Sequence, residues 1–152
     1  MSQKEQYKLH LIKLASIAIE AFKVQPPVDF RDEDIAHCIG FYYSCIDGIK
    51  HREPQYDSIA SLKYDETDIL TFFNESTDGI CNHFWNEVMR NGLPFKRKNM
   101  LKNILRRKRI KDDIEFQFVI DVILPYQQQN IIDMKDVKLL NHYIQEFEKT
   151  RV

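Results

Sequence analysis

A chain of 152 residues is long enough for one domain that buries roughly 68 to 70% of its unfolded surface, so stapling by disulfides or metal is not required. Apolar residues make up 43% and charged residues 30%, which excludes a long disordered or collagen-like chain. The 22 Lys and Arg nearly balance the 23 Asp and Glu, so no whole-molecule field draws the protein to polyanions, and any electrostatic partner must be met by a local patch.

Between Leu9 and Phe22 almost every position is apolar except His10, Lys13, Ser16 and Glu20, which recur every three or four residues along one narrow stripe. This predicts a largely buried helix. Gln25, Pro26 and Pro27 end it, because proline lacks the amide donor and restricts the residue before it. The acids between Asp29 and Asp34 favour the positive end of a second helix dipole, with Ile35, Cys38, Ile39, Tyr42, Ile46 and Ile49 turned inward. His51 to Asp57, containing Pro54, reads as a loop. Tyr56 to Tyr64 suits a short helix or an irregular segment. Asp65 followed by Asp68 imitates a capping box for another helix that presents Ile69, Leu70, Phe72 and Phe73.

Asp78 is placed to cap a helix carrying Cys81, Phe84, Trp85, Val88 and Met89, which Gly92 closes and Pro94 prevents from resuming. Asn99 is placed to cap a short basic helix with Leu101, Ile104 and Leu105 inward and Lys98, Lys102, Arg106 and Arg109 close to one line on its other side. Asp112 and Asp113 open a helix whose inward stripe is Ile114, Phe118, Val119, Val122 and Ile123. The β-prone composition from Phe116 to Ile123 leaves a buried strand as the competing assignment, and Pro125 is expected to terminate the element. Asp133 caps a last helix in which Val137, Leu140, Ile144 and Phe147 repeat at three and four residues. The expected fold is therefore all-α: a single-domain bundle of about six to eight helices over residues 1 to 152.

Three cysteines, Cys38, Cys45 and Cys81, form no CxxC pair and predict reduced thiols rather than a disulfide framework or a zinc knuckle. Five histidines stand singly, so a metal cluster of Cys81 and His83 with Cys38 and Cys45 is outweighed by their reading as core residues. No GxSxG, HExxH or glycine-rich phosphate loop occurs. No catalytic residue, metal or cofactor is therefore expected. Lys13 and Glu20 interrupt the first apolar stretch, so no secretory signal is expected either, and no run reaches the roughly 18 uncharged residues that a spanning helix needs. A cytoplasmic protein with no membrane partner is the expectation.

Charge is more informative in segments than in total. Residues 1 to 56 carry 7 basic and 8 acidic groups, 57 to 94 carry 2 and 7, 95 to 111 carry 9 and none, and 112 to 152 carry 4 and 8. The basic block can contact several phosphates or an acidic protein surface. Lys98, Lys102, Arg106 and Arg109 are its candidates for nucleic-acid binding. Base reading by a helix-turn-helix is disfavoured, because Asp112, Asp113 and Glu115 at the start of the next helix repel phosphate. The competing reading is a solvated face neutralised by the acidic neighbours. Asp32, Glu33, Asp34, Asp65, Glu66 and Asp68 are most simply helix-start acids. With Tyr56 and Tyr64 they also compose an acidic, aromatic surface for a basic protein partner, gaining association rate from charge and affinity from buried aromatics.

The run from Phe84 and Trp85 through Gly92, then LKNILRRKRIKDDIEFQFVIDVI, then DMKDVKLLNHYIQEFE, resembles the small helical immunity proteins of bacterial contact-dependent growth inhibition and related toxin systems. The resemblance covers roughly residues 84 to 148 and lies in the helix pattern. It implies a non-enzymatic cytosolic protein that binds one cognate toxin domain, commonly a nuclease with a basic surface, and occludes its active site or substrate surface. It transfers no individual residues, so the candidate positions remain those of the charge pattern.

Overall fold

The computed structural model describes residues 1 to 151, and among them every regular element is a helix. Seven α-helices fall within the expected number. Contacts gather into two compact units, Met1–Lys96 and Arg97–Val152, each with its own apolar core. No helix among the described residues is long and apolar enough to cross a membrane.

The first unit contains α1 (Gln3–Val24), α2 (Asp32–Lys50), a 3-10 turn (Pro54–Tyr56), α3 (Ile59–Glu75) and α4 (Gly79–Arg90). Helix α1 begins six residues before the expected stretch because Ser2 and Glu5 exchange capping bonds: the Glu5 amide donates to Ser2 Oγ at 3.1 Å, and the Ser2 amide to Glu5 Oε2 at 3.3 Å. Leu11, Leu14, Ala18 and Phe22 are fully or almost fully buried, and α1 touches α2, α3 and α4. It is the central helix of this unit. The inward stripe of α2 holds, with Tyr42 and Ile49 buried and Ile35, Cys38, Ile39 and Ile46 packed against the core.

Helix α3 differs from the expectation. It is one element capped by Ser58, whose Oγ accepts from the Ser61 amide at 3.1 Å. The Asp65 and Asp68 pair therefore starts no helix; both lie inside one, because Leu62 already lies in the core ahead of them with Ile69, Leu70 and Phe73. The aromatic residues close this core. Phe73 and Phe84 stack with centroids 3.8 Å apart, and the Trp85 indole donates to the Phe73 carbonyl at 2.9 Å. Gly92 terminates α4 with φ of 66°, as its position predicts.

The second unit contains α5 (Lys102–Arg107), α6 (Asp113–Gln128) and α7 (Met134–Thr150). The segment from Phe116 to Ile123 is helical, which removes the strand alternative. Ile114, assigned inward by spacing, is 82% exposed; the buried side of α6 is Val119, Val122 and Tyr126. Pro125 does not end α6. A proline withholds the amide bond to the carbonyl four residues back and crowds that carbonyl with its ring, but here Tyr126, fully buried, holds the following turn in place. Its hydroxyl donates to the Lys98 carbonyl at 3.2 Å and its carbonyl accepts from the Ile131 amide at 2.8 Å. Asp112 and Asp133 cap α6 and α7 as expected, accepting from the Glu115 and Asp136 amides at 2.9 Å each.

Candidate partner-binding surface

The acids singled out in the first unit have different surroundings. Arg52, just after α2, is the hub of one group. Its guanidinium donates to Asp65 Oδ2 at 2.6 Å, to Ser61 Oγ at 2.5 Å and to the Tyr56 carbonyl at 2.8 Å. With side chains only 11% and 23% exposed, Arg52 and Asp65 form a partly buried pair that ties the link after α2 to α3. Glu66 is occupied as well, accepting from the Tyr7 hydroxyl of α1 at 2.8 Å. Burial, and then this bond to the carboxylate, raise the Tyr7 pKa, so the hydroxyl stays protonated as a donor. Asp57 completes the same seam with Lys4 at 3.2 Å and Lys8 at 3.1 Å.

What remains outward is smaller than the sequence pattern implies. Tyr56 is 57% and Tyr64 77% exposed, and Asp68 is exposed on α3. Cys45 of α2 lies close enough to Asp68 and Asp65 to feel both; burial first, then these carboxylates, push its thiol up to about 11. Asp32, Glu33 and Asp34 belong elsewhere, at the N-terminus of α2. Asp34 takes the Arg31 amide at 2.9 Å, Glu33 lies 3.8 Å from the Arg31 guanidinium, and Asp32 is exposed. Asp34 and Cys45 are eleven positions apart, about 16 Å of helix rise. The eight candidate residues thus do not form one surface: Tyr64 and Asp68, four apart on α3, share an exposed face next to Asp65 and Glu66, Tyr56 joins this group through its carbonyl on Arg52, and Asp32, Glu33 and Asp34 lie at the start of α2.

The basic segment is also rearranged. Asn99 does not cap α5; its side chain accepts from the Leu101 amide at 2.9 Å, two residues on, in a turn that precedes the helix. Helix α5 spans only Lys102–Arg107 and is closed by Lys108 in the left-handed conformation. Lys102 and Arg106 share a helix face, whereas Lys98 precedes α5 and Arg109 follows its closing turn, so the expected four-residue line does not exist. All four side chains are exposed.

One feature of the first unit was only half visible in the sequence. The polar stripe of α1 faces the last turns of α4 across an open cleft of about 520 Å³, lined by Lys13, Ser16, Glu20, His83, Glu87 and Arg90 among others. The stripe itself was legible; its pairing with the spacing of His83, Glu87 and Arg90 on one face of α4 was not. Arg90 binds Glu87 at 2.9 Å, and Glu20 lies 3.9 Å from Lys23, so acids and bases here partly neutralise one another. Among the described residues no group of three or more His, Cys, Asp or Glu is arranged to hold a metal ion. Compared with family models, curated proteins and solved structures, the chain finds no match.

Proposed function

We propose that this protein is an immunity-type inhibitor that acts in the cytoplasm by binding a basic toxin domain, a nuclease, and covering its active site or substrate surface. The observation that carries the reading is the exposure of Tyr64 on the same helix face as Asp68, with Tyr56 exposed as well, in a unit with fifteen acidic and ten basic residues. Two aromatic side chains offer anchors that a partner can desolvate. Asp68, with Asp32 and Glu33 farther along the unit, supplies the field that speeds encounter with a positive surface and substitutes for the phosphates such a surface normally holds. Asp65 and Glu66 act in this reading through position, keeping α3 in place against Arg52 and Tyr7.

The test begins with the gene product encoded next to this chain. Co-expression and co-purification of the two, with growth protection as the second readout, is expected to yield a complex. A neighbour that is no toxin, together with no protection of any cell, removes the reading. Within a complex, Asp68→Lys is expected to slow association at low salt, and Tyr64→Ala to speed dissociation roughly thirtyfold, the size of an anchor worth about 2 kcal/mol. Circular dichroism of both variants should match the parent, since neither side chain is buried.

A further inference from the structure

The cations of the second unit are unequally engaged. Arg107 is withdrawn into a two-bond clamp, its Nη1 and Nη2 donating to Glu115 at 2.8 and 3.0 Å. Arg97 is buried with its guanidinium 5.0 Å from the centre of the Tyr126 ring. Lys102, Arg106, Lys108, Arg109 and Lys111 are all exposed, and none of them forms an ion pair among the described residues. The neighbouring acids therefore leave most of the block uncompensated. The backbone adds to this. Lys108 closes α5 with φ of 66°, where glycine is the usual residue, and so places a charge at the apex of the turn. Glu115 then pins the returning strand of chain by accepting the Lys111 amide at 3.0 Å as well as Arg107.

We infer that the turn from Lys102 to Lys111 is a binding surface for the phosphodiester backbone of a nucleic acid. Five unpaired cations on a pinned turn match a polymer of regularly spaced single negative charges. No aromatic residue lies in this segment, so bases are not stacked, and the exposed Asp112 and Asp113 that follow oppose entry of α6 into a groove. Recognition is therefore of the backbone and not of sequence. The same lack of aromatic anchors disfavours a lipid surface. This turn uses none of the residues of the proposed toxin-binding patch, and its test does not involve a toxin.

Fluorescence anisotropy with the full chain, using a short DNA duplex in one arm and a single-stranded RNA in the other, measures it. Five phosphate contacts predict a log–log salt slope of about −4.5 on duplex, on the order of a 500-fold loss between about 50 and about 200 mM salt. The triple variant Lys102→Ala, Arg106→Ala, Arg109→Ala should bind at least tenfold more weakly at the lower salt, with the slope reduced in magnitude by about 2.7. Lys135→Ala with Lys138→Ala, exposed lysines of α7, should bind as the parent does. The inference is overturned if neither polynucleotide binds at low salt, if the α7 variant loses as much as the triple variant, or if phosphatidylserine vesicles bind more tightly than both nucleic acids.

Discussion

The two units treat charge in opposite ways. Met1–Lys96 is acidic by composition, yet Asp57, Asp65 and Glu66 are consumed internally by Lys4, Lys8, Arg52 and Tyr7, partners that lie 13 to 59 positions away for the bonds made by Asp65, Asp57 and Glu66. Arg97–Val152 carries twelve basic and eight acidic residues, and its main clamp, Arg107 to Glu115, spans eight. Its remaining turn cations stay in water. Three acids of the first unit are thus architectural, while five cations of the second unit's turn remain available at the surface. A count of charges along the chain reports composition; only the partners show which charges are left to act.

Breaking the aromatic core should have the largest effect and should leave the second unit folded. Phe73→Ala removes the ring stacked on Phe84 in a fully buried site and is expected to cost about 3 to 5 kcal/mol in denaturant unfolding of the first unit. A loss below about 1 kcal/mol would mean that this site is poorly packed. Replacing Arg52 by Met leaves the partly buried Asp65 without its cation and should cost about 1 to 3 kcal/mol. In a double-mutant cycle, adding Asp65→Leu should recover part of that loss. Strictly additive losses would show that the pair is not coupled.

Acidification distinguishes the units more finely. Asp57 is held below the ordinary carboxylate range by bonds from Lys8 and then Lys4, and Glu115 first by the bonds from Arg107. A carboxyl with a depressed folded pKa stabilises fully above its unfolded value, about 4, and loses that contribution as the pH falls through the folded value. Melting temperatures should therefore fall below about pH 4. Glu115→Gln should flatten this acid limb for the second unit, and Asp57→Asn for the first; an unchanged limb in both variants would reject the assignment. The smallest effect concerns Cys45, whose thiol stays protonated at neutral pH and should alkylate more slowly in the folded chain than after unfolding. Equal rates measured by mass spectrometry would contradict its placement.

Much of the fold was legible because helices announce themselves locally. The stripe of Ile35, Cys38, Ile39 and Tyr42, the cap at Asp133 and the stop at Gly92 each involve residues within a turn or two, and each is where spacing placed it. The errors arose where a local signal had a distant competitor. Asp65 had the look of a helix start, but Arg52 claims its carboxylate while Leu62 carries the helix through from Ser58. Pro125 had the look of a stop, but the burial of Tyr126 outweighs the missing amide bond and the crowding of the ring against the preceding turn.

The amino-acid order by itself determined that this chain is helical, where most of its apolar faces lie and how its charge is distributed, since all three depend on neighbours a few residues apart. Tertiary structure decided which charges are spent and which are free, and that α1 and α4 border an open cleft of mixed polar and apolar lining. Those outcomes turn on side chains distant in sequence meeting in space, where a carboxylate beside a guanidinium becomes part of the framework and an identical one in water remains a potential contact.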